Sequence, residues 1–500
     1  MKKIFLLLIG GLTFNALQAQ DISDATRYAQ DNLSGTARFR AMGGAFGALG
    51  GDLSSLNVNP AGSAVFANNQ FGVTLSNYGT KNNSNYFGNA ITEKDDSFTL
   101  NQGGAVFVFK NRNQSSKWNK YSLGFNYDNS NNYNSRLFSA GTNPNNSLAN
   151  YFVSYANGIA LDVLENGSYR NLNNGEQQAF LGYQSYMINP ATTDVDNTEY
   201  TSNVPAGGNY YQENEVYSEG YNGKFTFNLG AQYDDFLYLG MNLNLHTIDF
   251  RRNSSFYEDN SNTLGTNDQV TSVRFDNNLY TYGSGFSFQL GAIAKVSDAI
   301  RLGLAYESNT WYDVYDELSQ KIVSVSSNNV GALPAQVVDP RITNVYDPYK
   351  LQTPGKLTAS FAYIFGQTGL LSVDYAIKDY SSTVFKPQND SYYKGLNSSI
   401  NDKMTTNGEL RIGGEYKIKQ LSLRAGYRLE GSPYENGKTV GDLTSYSGGL
   451  GYDFGATKVD LSYSYAERDS QRAAFSQGFT DYANLNTKFN TVSMTVLFEL

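Results

Sequence analysis

The sequence predicts an all-β protein, a 14-stranded antiparallel transmembrane β-barrel. Alternation of apolar and polar residues recurs from Gln70 to the C-terminus, and strand geometry sends alternate side chains to opposite faces. The connections between these segments are alternately short and long, and aromatic residues gather beside the short ones. Tight turns at one end, long loops at the other and aromatic girdles are typical of barrels in bacterial outer membranes.

Composition limits the class of protein further. The 500 residues include 39 Tyr, 30 Phe and 48 Gly but only 10 Pro, which suits a β-rich membrane chain better than a typical soluble enzyme. A net charge of −9 argues against nucleic acid as a partner, because phosphate binding needs clustered Lys and Arg. The chain has no cysteine, which excludes disulfides, thiolate metal sites and a lipoprotein anchor.

Residues 1–19 are predicted to be a cleaved signal peptide. Lys2 and Lys3 precede an apolar run from Ile4 to Phe14, and a cleavage site falls before Gln20. A spanning helix needs about 20 apolar residues, so an uncleaved anchor is the less favoured alternative. The sequence therefore indicates export.

The strand prediction is clearest around residues 237–246. The side chains expected to face outward there are Leu237, Leu239, Met241, Leu243 and Leu245. Those expected to face inward are Gly240, Asn242, Asn244 and His246. The full set of predicted strands is 70–78, 98–109, 120–131, 220–233, 236–250, 280–296, 300–308, 356–365, 370–380, 405–416, 421–429, 444–454, 458–466 and 487–500.

The long connections are predicted to lie together at the extracellular end of the barrel. They are 79–97, 132–219, 251–279, 309–355, 381–404, 430–443 and 467–486. The longest, 132–219, exceeds the length of an ordinary loop, and it contains Leu148, Tyr151, Phe152 and Tyr155 at helical spacing. With a second helical pattern at 176–187, two short helices over the barrel mouth are expected, either as a ligand-capture surface or as a packed cap.

Residues 20–69 are predicted to form a hatch inside the barrel. The segment is Gly-rich and too short to bury a core alone, whereas a barrel of this size has a wide lumen to fill. Its candidate ligand and hatch residues are Phe39, Phe46, Asn59, Pro60, Ala61 and Gly62. We expect the last four to lie against strand 3, where Gly124 offers a place to kink and the polar run Asp128 to Asn132 should bend inward or meet the hatch.

This order of parts resembles the FadL/TodX family of outer-membrane transporters, whose hatch carries an Asn-Pro-Ala motif. Asn59-Pro60-Ala61-Gly62 matches that motif, and Thr353-Pro354-Gly355 looks like the family's proline-led strand entry. The resemblance runs from about residue 25 to the end. It implies a monomeric barrel in the Gram-negative outer membrane that takes up hydrophobic small molecules passively, binds them in the lumen and releases them sideways into lipid. The Asn- and Tyr-rich outer loops look like those of Bacteroidetes members, some of which are labelled hemin receptors.

The sequence offers few candidates for catalysis, and we predict no enzyme activity, cofactor or metal. His246 is the single histidine and is expected in the polar inner wall, with no G-x-S-x-G motif elsewhere. Arg411, Arg424, Arg428 and Lys224 are candidates to grip a ligand carboxylate, the alternative being that they pair with nearby acids. Long-chain fatty acids and aromatic hydrocarbons both suit the predicted lumen. A general or structural porin, a hemin-type receptor and a lipid-acting enzyme stay open as alternatives.

Deletion of residues 21–62 gives a direct test of the predicted hatch. The truncated barrel should still fold, leak ions in planar bilayers and transport hydrophobic substrate poorly, because its lumen loses the material that fills it. Unchanged uptake by the truncated protein would show that the segment only fills the lumen and takes no part in transport.

Overall fold

The protein is described by a computed structural model that covers residues 21–113 and 115–500. The predicted signal peptide, 1–19, lies outside the described residues. Fourteen strands form one closed antiparallel sheet, in which the first strand pairs with the last from Gln70↔Glu499 to Asn85↔Asn484. The strand count and closure predicted from the sequence are confirmed.

The strands follow one another around the barrel in chain order. They are β1 Gln70–Tyr86, β2 Asn89–Lys110, β3 Trp118–Asn132, β4 Tyr210–Tyr233, β5 Leu237–Asn260, β6 Gln269–Lys295, β7 Ile300–Glu307, β8 Lys356–Phe365, β9 Gly369–Asp379, β10 Thr406–Ile418, β11 Leu421–Glu430, β12 Val440–Asp453, β13 Thr457–Ala473 and β14 Tyr482–Glu499. After a break at Ser308 and Asn309, β7 continues as Thr310–Asn328, and this extension pairs with Tyr349–Thr353, which precedes β8.

Helices and short strands occupy the N-terminal segment and the long loops. The α-helices are α1 Ile22–Ala29, α2 Ala37–Ala41, α3 Ala149–Ala156, α4 Leu161–Asn166, α5 Asn174–Gln184 and α6 Ser391–Lys403. The 3-10 helices are Leu53–Asn57, Pro60–Val65, Tyr169–Asn171 and Tyr380–Ser382. The short loop strands are Ser135–Asn143, Ile188–Pro190, Tyr200–Ser202, Gly331–Ala332, Gln336–Val338, Thr343–Val345 and Val384–Lys386. Within the described ranges, no helix combines the length and the apolarity needed to cross a membrane.

Alternation along the strands produces an apolar outer surface and a polar inner one. On β5, Leu243 and Leu245 are 43% and 49% exposed, whereas Asn242 and Asn244, which alternate with them, are fully buried. Large apolar and aromatic side chains are exposed in the same way around the barrel, and Phe236, Phe365, Tyr416 and Phe454 are exposed beside the short turns. A closed sheet with an exposed apolar belt and an inner polar face is a transmembrane β-barrel.

Two of the connections predicted as loops are strands instead. Segment 79–97 continues the β1–β2 hairpin to a tight turn at Phe87 and Gly88, and much of 251–279 belongs to β5 and β6. These extensions are largely polar, with apolar residues such as Phe256 and Phe275 only at intervals, so they lack the continuous apolar alternation that reveals a half-buried strand. Backbone pairing holds them together beyond the apolar belt.

The long connection between β3 and β4 folds into a compact cap. It contains three α-helices, α3 to α5, rather than the two expected, because α4 is a single short turn with little periodicity to detect. Their buried side chains form one apolar cluster with the extensions of β5 and β6 and with the β13–β14 loop. The rings of Tyr151 on α3 and Phe475 on that loop have centroids 4.5 Å apart. The cap therefore packs across the long-loop end of the barrel.

Leu243→Lys tests the assignment of the apolar belt. A lysine facing lipid within the apolar part of β5 should lower the free energy of unfolding by about 2–4 kcal/mol. The measurement is denaturant unfolding of protein folded into phosphatidylcholine vesicles. Asp259→Lys, near the long-loop end of the same strand, is the matched control and should change stability little. Equal effects from the two substitutions would contradict the assignment.

Candidate functional site: the N-terminal segment and its seat in the barrel

The Asn-Pro-Ala-Gly motif forms a capped 3-10 turn. Asn59 Oδ1 accepts a hydrogen bond from Ala61 N at 3.1 Å, and Pro60 occupies the first position, where its missing N–H leaves no donor unpaired. The Asn59 amide also donates to Gly47 O at 2.7 Å and to Ala292 O on β6 at 3.0 Å. One side chain thus caps the turn and ties it both to its own segment and to the barrel.

Three amide side chains of the barrel receive the backbone of this region. Asn228 on β4 donates to Pro60 O at 2.9 Å, Asn242 on β5 to Leu56 O at 2.8 Å, and Gln289 on β6 to Asn57 O at 3.1 Å. Each amide satisfies a carbonyl in or beside a 3-10 helix that is shut away from bulk water. The seat of the motif is therefore formed by β4, β5 and β6.

This position corrects the wall expected from the sequence. Strand β3 contributes the contact of Ser122 Oγ with Ser63 Oγ at 2.9 Å, and Gly124 does not kink the strand but gives room to Leu56. The motif instead fits against the wall because two inward positions there are glycines, which leave room for its backbone. A Cβ added to Gly240 would lie 2.2 Å from the Pro60 carbonyl carbon, and one added to Gly291 would lie 2.0 Å from Asn59 Oδ1.

The opposite wall holds the segment through charged and hydroxyl groups. Phe46 N and Gly47 N donate to the Asp374 carboxylate on β9 at 2.9 and 3.0 Å. Arg38 donates to Glu415 on β10 at 2.9 Å through Nε and 3.2 Å through Nη2, and Ser447 on β12 donates to Ala41 O at 3.0 Å. The segment is thus fastened on both sides of the lumen.

Phe39 and Phe46 do not line an open ligand space. Their ring centroids are 5.4 Å apart, and both rings are buried with Met42, Leu49 and Val58 in the segment's own apolar cluster. Ala362 of β8 belongs to the same cluster. The structure therefore places these two residues in the packing of the segment against the barrel.

The three candidate arginines of β10 and β11 are engaged by carboxylates. Arg411 and Arg428 share Glu409, Arg428 also reaches Glu430 at 2.8 Å, and Arg424 binds Glu415 at 2.6 Å. Lys224 differs from them. It is buried near the middle of β4, which starts ten residues earlier than predicted, and it makes no hydrogen bond or ion pair with any residue that the structure describes. The arginines are therefore paired with acids of the barrel itself. Of the two interpretations that the sequence left open, this is pairing with nearby acids rather than with a ligand carboxylate.

A small polar cavity lies where Asp31 of the N-terminal segment meets this charged wall. Its volume is ≈ 20 Å³, and its lining includes Asp31, Lys356, Lys378 and Glu409. Such a volume has room for about one water molecule. Burial within the barrel would raise the pKa of Asp31, but the ammonium groups of Lys378 and Lys356 hold this pKa well below its usual range. Ion pairs with Lys356 and Lys378 hold Asp31 of the N-terminal segment against this wall, while the Asp31 side chain stays about half exposed.

The barrel wall is interrupted between β2 and β3. Their backbone ladder ends at Gln102↔Asp128, although β2 begins at Asn89 and β3 continues to Asn132. Beyond that point Asn129 donates to Thr99 Oγ1 at 3.1 Å and Asn132 donates to Ser97 Oγ at 2.8 Å, so side chains replace the backbone bonds. We call Ser97–Asn101 facing Asn129–Asn132 the β2–β3 discontinuity.

The N-terminal segment contacts this discontinuity. Asn32 N donates to Ser130 O at 3.2 Å, and Asn131 Nδ2 donates to Gln30 O at 3.1 Å. Within the described residues, Asp128 Oδ1, Asn129 Oδ1 and Ser130 Oγ are buried without a hydrogen-bond partner. The polar run of β3 meets the N-terminal segment, as its sequence requires, and buried unpaired oxygens there mark a place where the packing is incomplete.

Sequence reasoning missed the residues that form the seat. In the sequence these three amides, Asn228, Asn242 and Gln289, look like any other inward polar residues. The one indication that a backbone comes close is that two inward positions nearby, Gly240 and Gly291, are glycines. His246 is part of the same inner wall, with Nε2 2.9 Å from Ser287 Oγ. Residues 21–113 and 115–500 contain no group of three His, Cys, Asp or Glu that could hold a metal ion.

The protein is thus a transmembrane barrel of fourteen strands whose lumen contains its own N-terminal segment. Comparison with solved structures identifies this fold. No family model and no curated protein matches the sequence. A Pseudomonas aeruginosa FadL homologue is 12% identical, with a TM-score of 0.51, over 94% of this chain and 99% of that one. The P. putida toluene transporter TodX is 15% identical, with a TM-score of 0.52, over 94% and 99%. The chain has the fold of the FadL/TodX transporters.

Gly240→Val tests the seat of the motif. The added side chain would collide with the Pro60 backbone, so it should cost roughly 1–3 kcal/mol of stability and loosen the N-terminal segment. Planar-bilayer conductance should rise, and limited proteolysis should cut before residue 66. Gly103→Val, where an added Cβ meets nothing within 4 Å, is the control. An unaltered conductance and cleavage pattern in Gly240→Val would show that the contact does not hold the segment.

Proposed function

We propose that this protein is a passive outer-membrane transporter that takes up hydrophobic small molecules, binds them in the lumen and releases them sideways into the bilayer. The proposal rests on one combination of features: the N-terminal segment fills the lumen, and the barrel wall is interrupted between β2 and β3. The N-terminal segment is fastened to β4, β5 and β6 on one side and to β9, β10 and β12 on the other. A ligand that enters from the long-loop end therefore meets an obstruction on the straight path.

The β2–β3 discontinuity supports a lateral exit. Its backbone groups are released from the ladder, and side chains of Thr99, Asn129 and Asn132 bridge the strands in their place. Side-chain bridges can separate without breaking a continuous sheet, whereas a ladder cannot. The contact of Asn32 with Ser130 links this exit to the N-terminal segment, which would act as a hatch over residues 20–69.

The class of ligand rests on the fold and on the solved neighbours. These neighbours are a FadL homologue and the toluene transporter TodX, a mutant of which is described as a monoaromatic hydrocarbon channel. Aromatic hydrocarbons are the ligands that these names give, and long-chain fatty acids are the second ligand type expected from the resemblance to the FadL/TodX family. The predicted signal peptide and the exposed apolar belt support location in the outer membrane, where the protein would work as a monomer in contact with lipid.

The alternatives predict different behaviour. A general or structural porin would conduct ions with the N-terminal segment in place, whereas here the segment crosses the lumen and is fastened to opposite walls. A lipid-acting enzyme would have to use His246 and Ser287, but both are packed in the inner wall with neighbouring amides. A hemin-type receptor has no support from a histidine cluster, because His246 is the single histidine.

A disulfide across the discontinuity tests lateral release. Because the chain has no cysteine, Thr99→Cys with Asn129→Cys introduces one defined pair. Oxidation should reduce uptake of toluene and dodecanoate by protein-containing vesicles toward the rate of vesicles without protein. Reduction with dithiothreitol should restore uptake, because the strands can then separate.

The control pair is Ala105→Cys with Phe125→Cys, which joins the same two strands where their ladder is intact. This crosslink should leave uptake unchanged in both redox states. Equal uptake by the oxidised and reduced Thr99/Asn129 variant would exclude exit through the discontinuity. Failure of the parent protein to transport either compound would exclude the proposed function itself.

A further inference from the structure

Three lysines stand side by side on the outer face of the barrel. Lys94 on β2 is in direct register with Lys81 on β1, and Lys81 is in direct register with Lys488 on β14. Directly opposed side chains have Cβ atoms roughly 4.5–5.5 Å apart, so three positive charges lie on three adjacent strands. We call these residues the lysine row. Exposed apolar side chains share its face closer to the short-turn end, namely Leu75 on β1, Phe98 on β2 and Met494 on β14.

One lysine of the row has an acidic partner. Lys488 Nζ lies 3.7 Å from Glu467 Oε1 on β13. Within the part of the chain that the structure describes, Lys81 and Lys94 form neither a hydrogen bond nor an ion pair, although Asp96 is exposed on the same face of β2. Like charges directly opposite one another destabilise a sheet. The row therefore indicates an anion that the chain does not supply.

The lysine row lies at the upper edge of the apolar belt. From Phe498 to Lys488, β14 rises by about 25 Å, at about 3.3 Å per residue and a tilt of about 40°. The apolar band of a transmembrane barrel is itself about 25 Å tall. Tyr463 on β13, which is exposed and in register with Val492, marks the aromatic girdle just below the row. The lysines therefore stand where lipid headgroups meet the long-loop end of the barrel.

A second row, of neutral polar side chains, lies one step farther from the belt. It consists of Thr92 on β2, Asn83 on β1 and Asn486 on β14, which are again in register. Thr92 Oγ1 donates to Asn83 Oδ1 at 2.9 Å, and the Asn83 amide donates to Asn486 Oδ1 at 3.3 Å. Amides and hydroxyls can bind the hydroxyl groups of a sugar, whereas ammonium groups bind phosphate. The two rows together suit a headgroup that carries phosphate on a sugar.

We propose that these two rows bind the headgroup of a phosphorylated glycolipid in the leaflet that surrounds the long-loop end of the barrel. The phosphate lies across Lys81 and Lys94, and the sugar lies against Asn83 and Thr92. The source of the headgroup is the membrane, because both rows continue the lipid-facing surface of the same three strands. A bacterial outer membrane holds such glycolipids in its outer leaflet, so the inference depends on the proposed location of the protein but not on transport.

The test measures binding of lipid A, an acylated and phosphorylated glucosamine disaccharide, to the purified protein in detergent micelles by native mass spectrometry. The Lys81→Gln/Lys94→Gln double variant should bind lipid A about tenfold or more weakly than the parent, because it loses two charges that face the phosphate. Removal of the phosphates from lipid A should weaken its binding to the parent to a similar extent. Lys110→Gln is the matched control, since Lys110 is exposed at the opposite, short-turn end of β2, and this variant should bind as the parent does.

Thermal unfolding separates loss of binding from structural damage. Without lipid A, the double variant should be at least as stable as the parent, because repulsion within the lysine row is relieved. With saturating lipid A, the melting temperature of the parent should rise further than that of the double variant, because a ligand that binds only the folded state stabilises it.

Equal affinity for lipid A in the parent and the double variant would overturn the inference, as would an equal loss in Lys110→Gln. Phosphatidylglycerol that binds as tightly as lipid A would contradict recognition of a sugar. Displacement of lipid A by millimolar inorganic phosphate would show a site for the free ion instead of a lipid. Each of these failures leaves the proposed transport function standing, because no transport is measured.

Discussion

Reciprocal hydrogen bonding between barrel side chains and the main chain of the N-terminal segment is the interaction on which the remainder of the structure depends. A barrel of this circumference has an inner face lined with Asn, Gln and Ser side chains, and the segment brings irregular backbone with unpaired carbonyls. Each would be costly alone away from bulk water. Asn228, Asn242 and Gln289 solve both problems together, because each inward amide of the barrel donates to a main-chain carbonyl of the segment.

The two sides of the lumen hold the segment by different physical means. The side formed by β4 to β6 uses neutral amides and the space left by glycines, so its contacts are short and insensitive to salt. The side formed by β9 to β12 uses carboxylates, and Glu415 serves Arg38 of the segment and Arg424 of the barrel at once. A shared carboxylate couples the position of the segment to the shape of the wall, since Arg38 and Arg424 orient the same Glu415 group.

The sequence allowed the barrel to be predicted because lipid and lumen impose opposite demands on alternate residues. Leu243 and Asn244 could be placed on opposite faces without further information. The same rule was blind beyond the apolar belt, where the strands are largely polar. Asn82, for example, is buried there against Ser135 and Arg136 of a loop strand. The seat of the motif was missed for a related reason. Asn59 could be recognised as a turn residue, but its partner Ala292 is more than two hundred positions away and accepts through its backbone carbonyl, which the residue type does not reveal.

The polar extensions of the strands have a consequence for how a poorly soluble molecule could reach the lumen. Strand β6 has 27 residues, whereas a crossing of the hydrocarbon layer takes about 9–11. At about 3.3 Å per residue, more than half of this strand stands clear of the lipid. The mouth beneath the cap therefore opens in the aqueous layer, well above the headgroups. Cargo dissolved in the outer leaflet would pass below it, so the rate of loading would follow the concentration of free monomer in water.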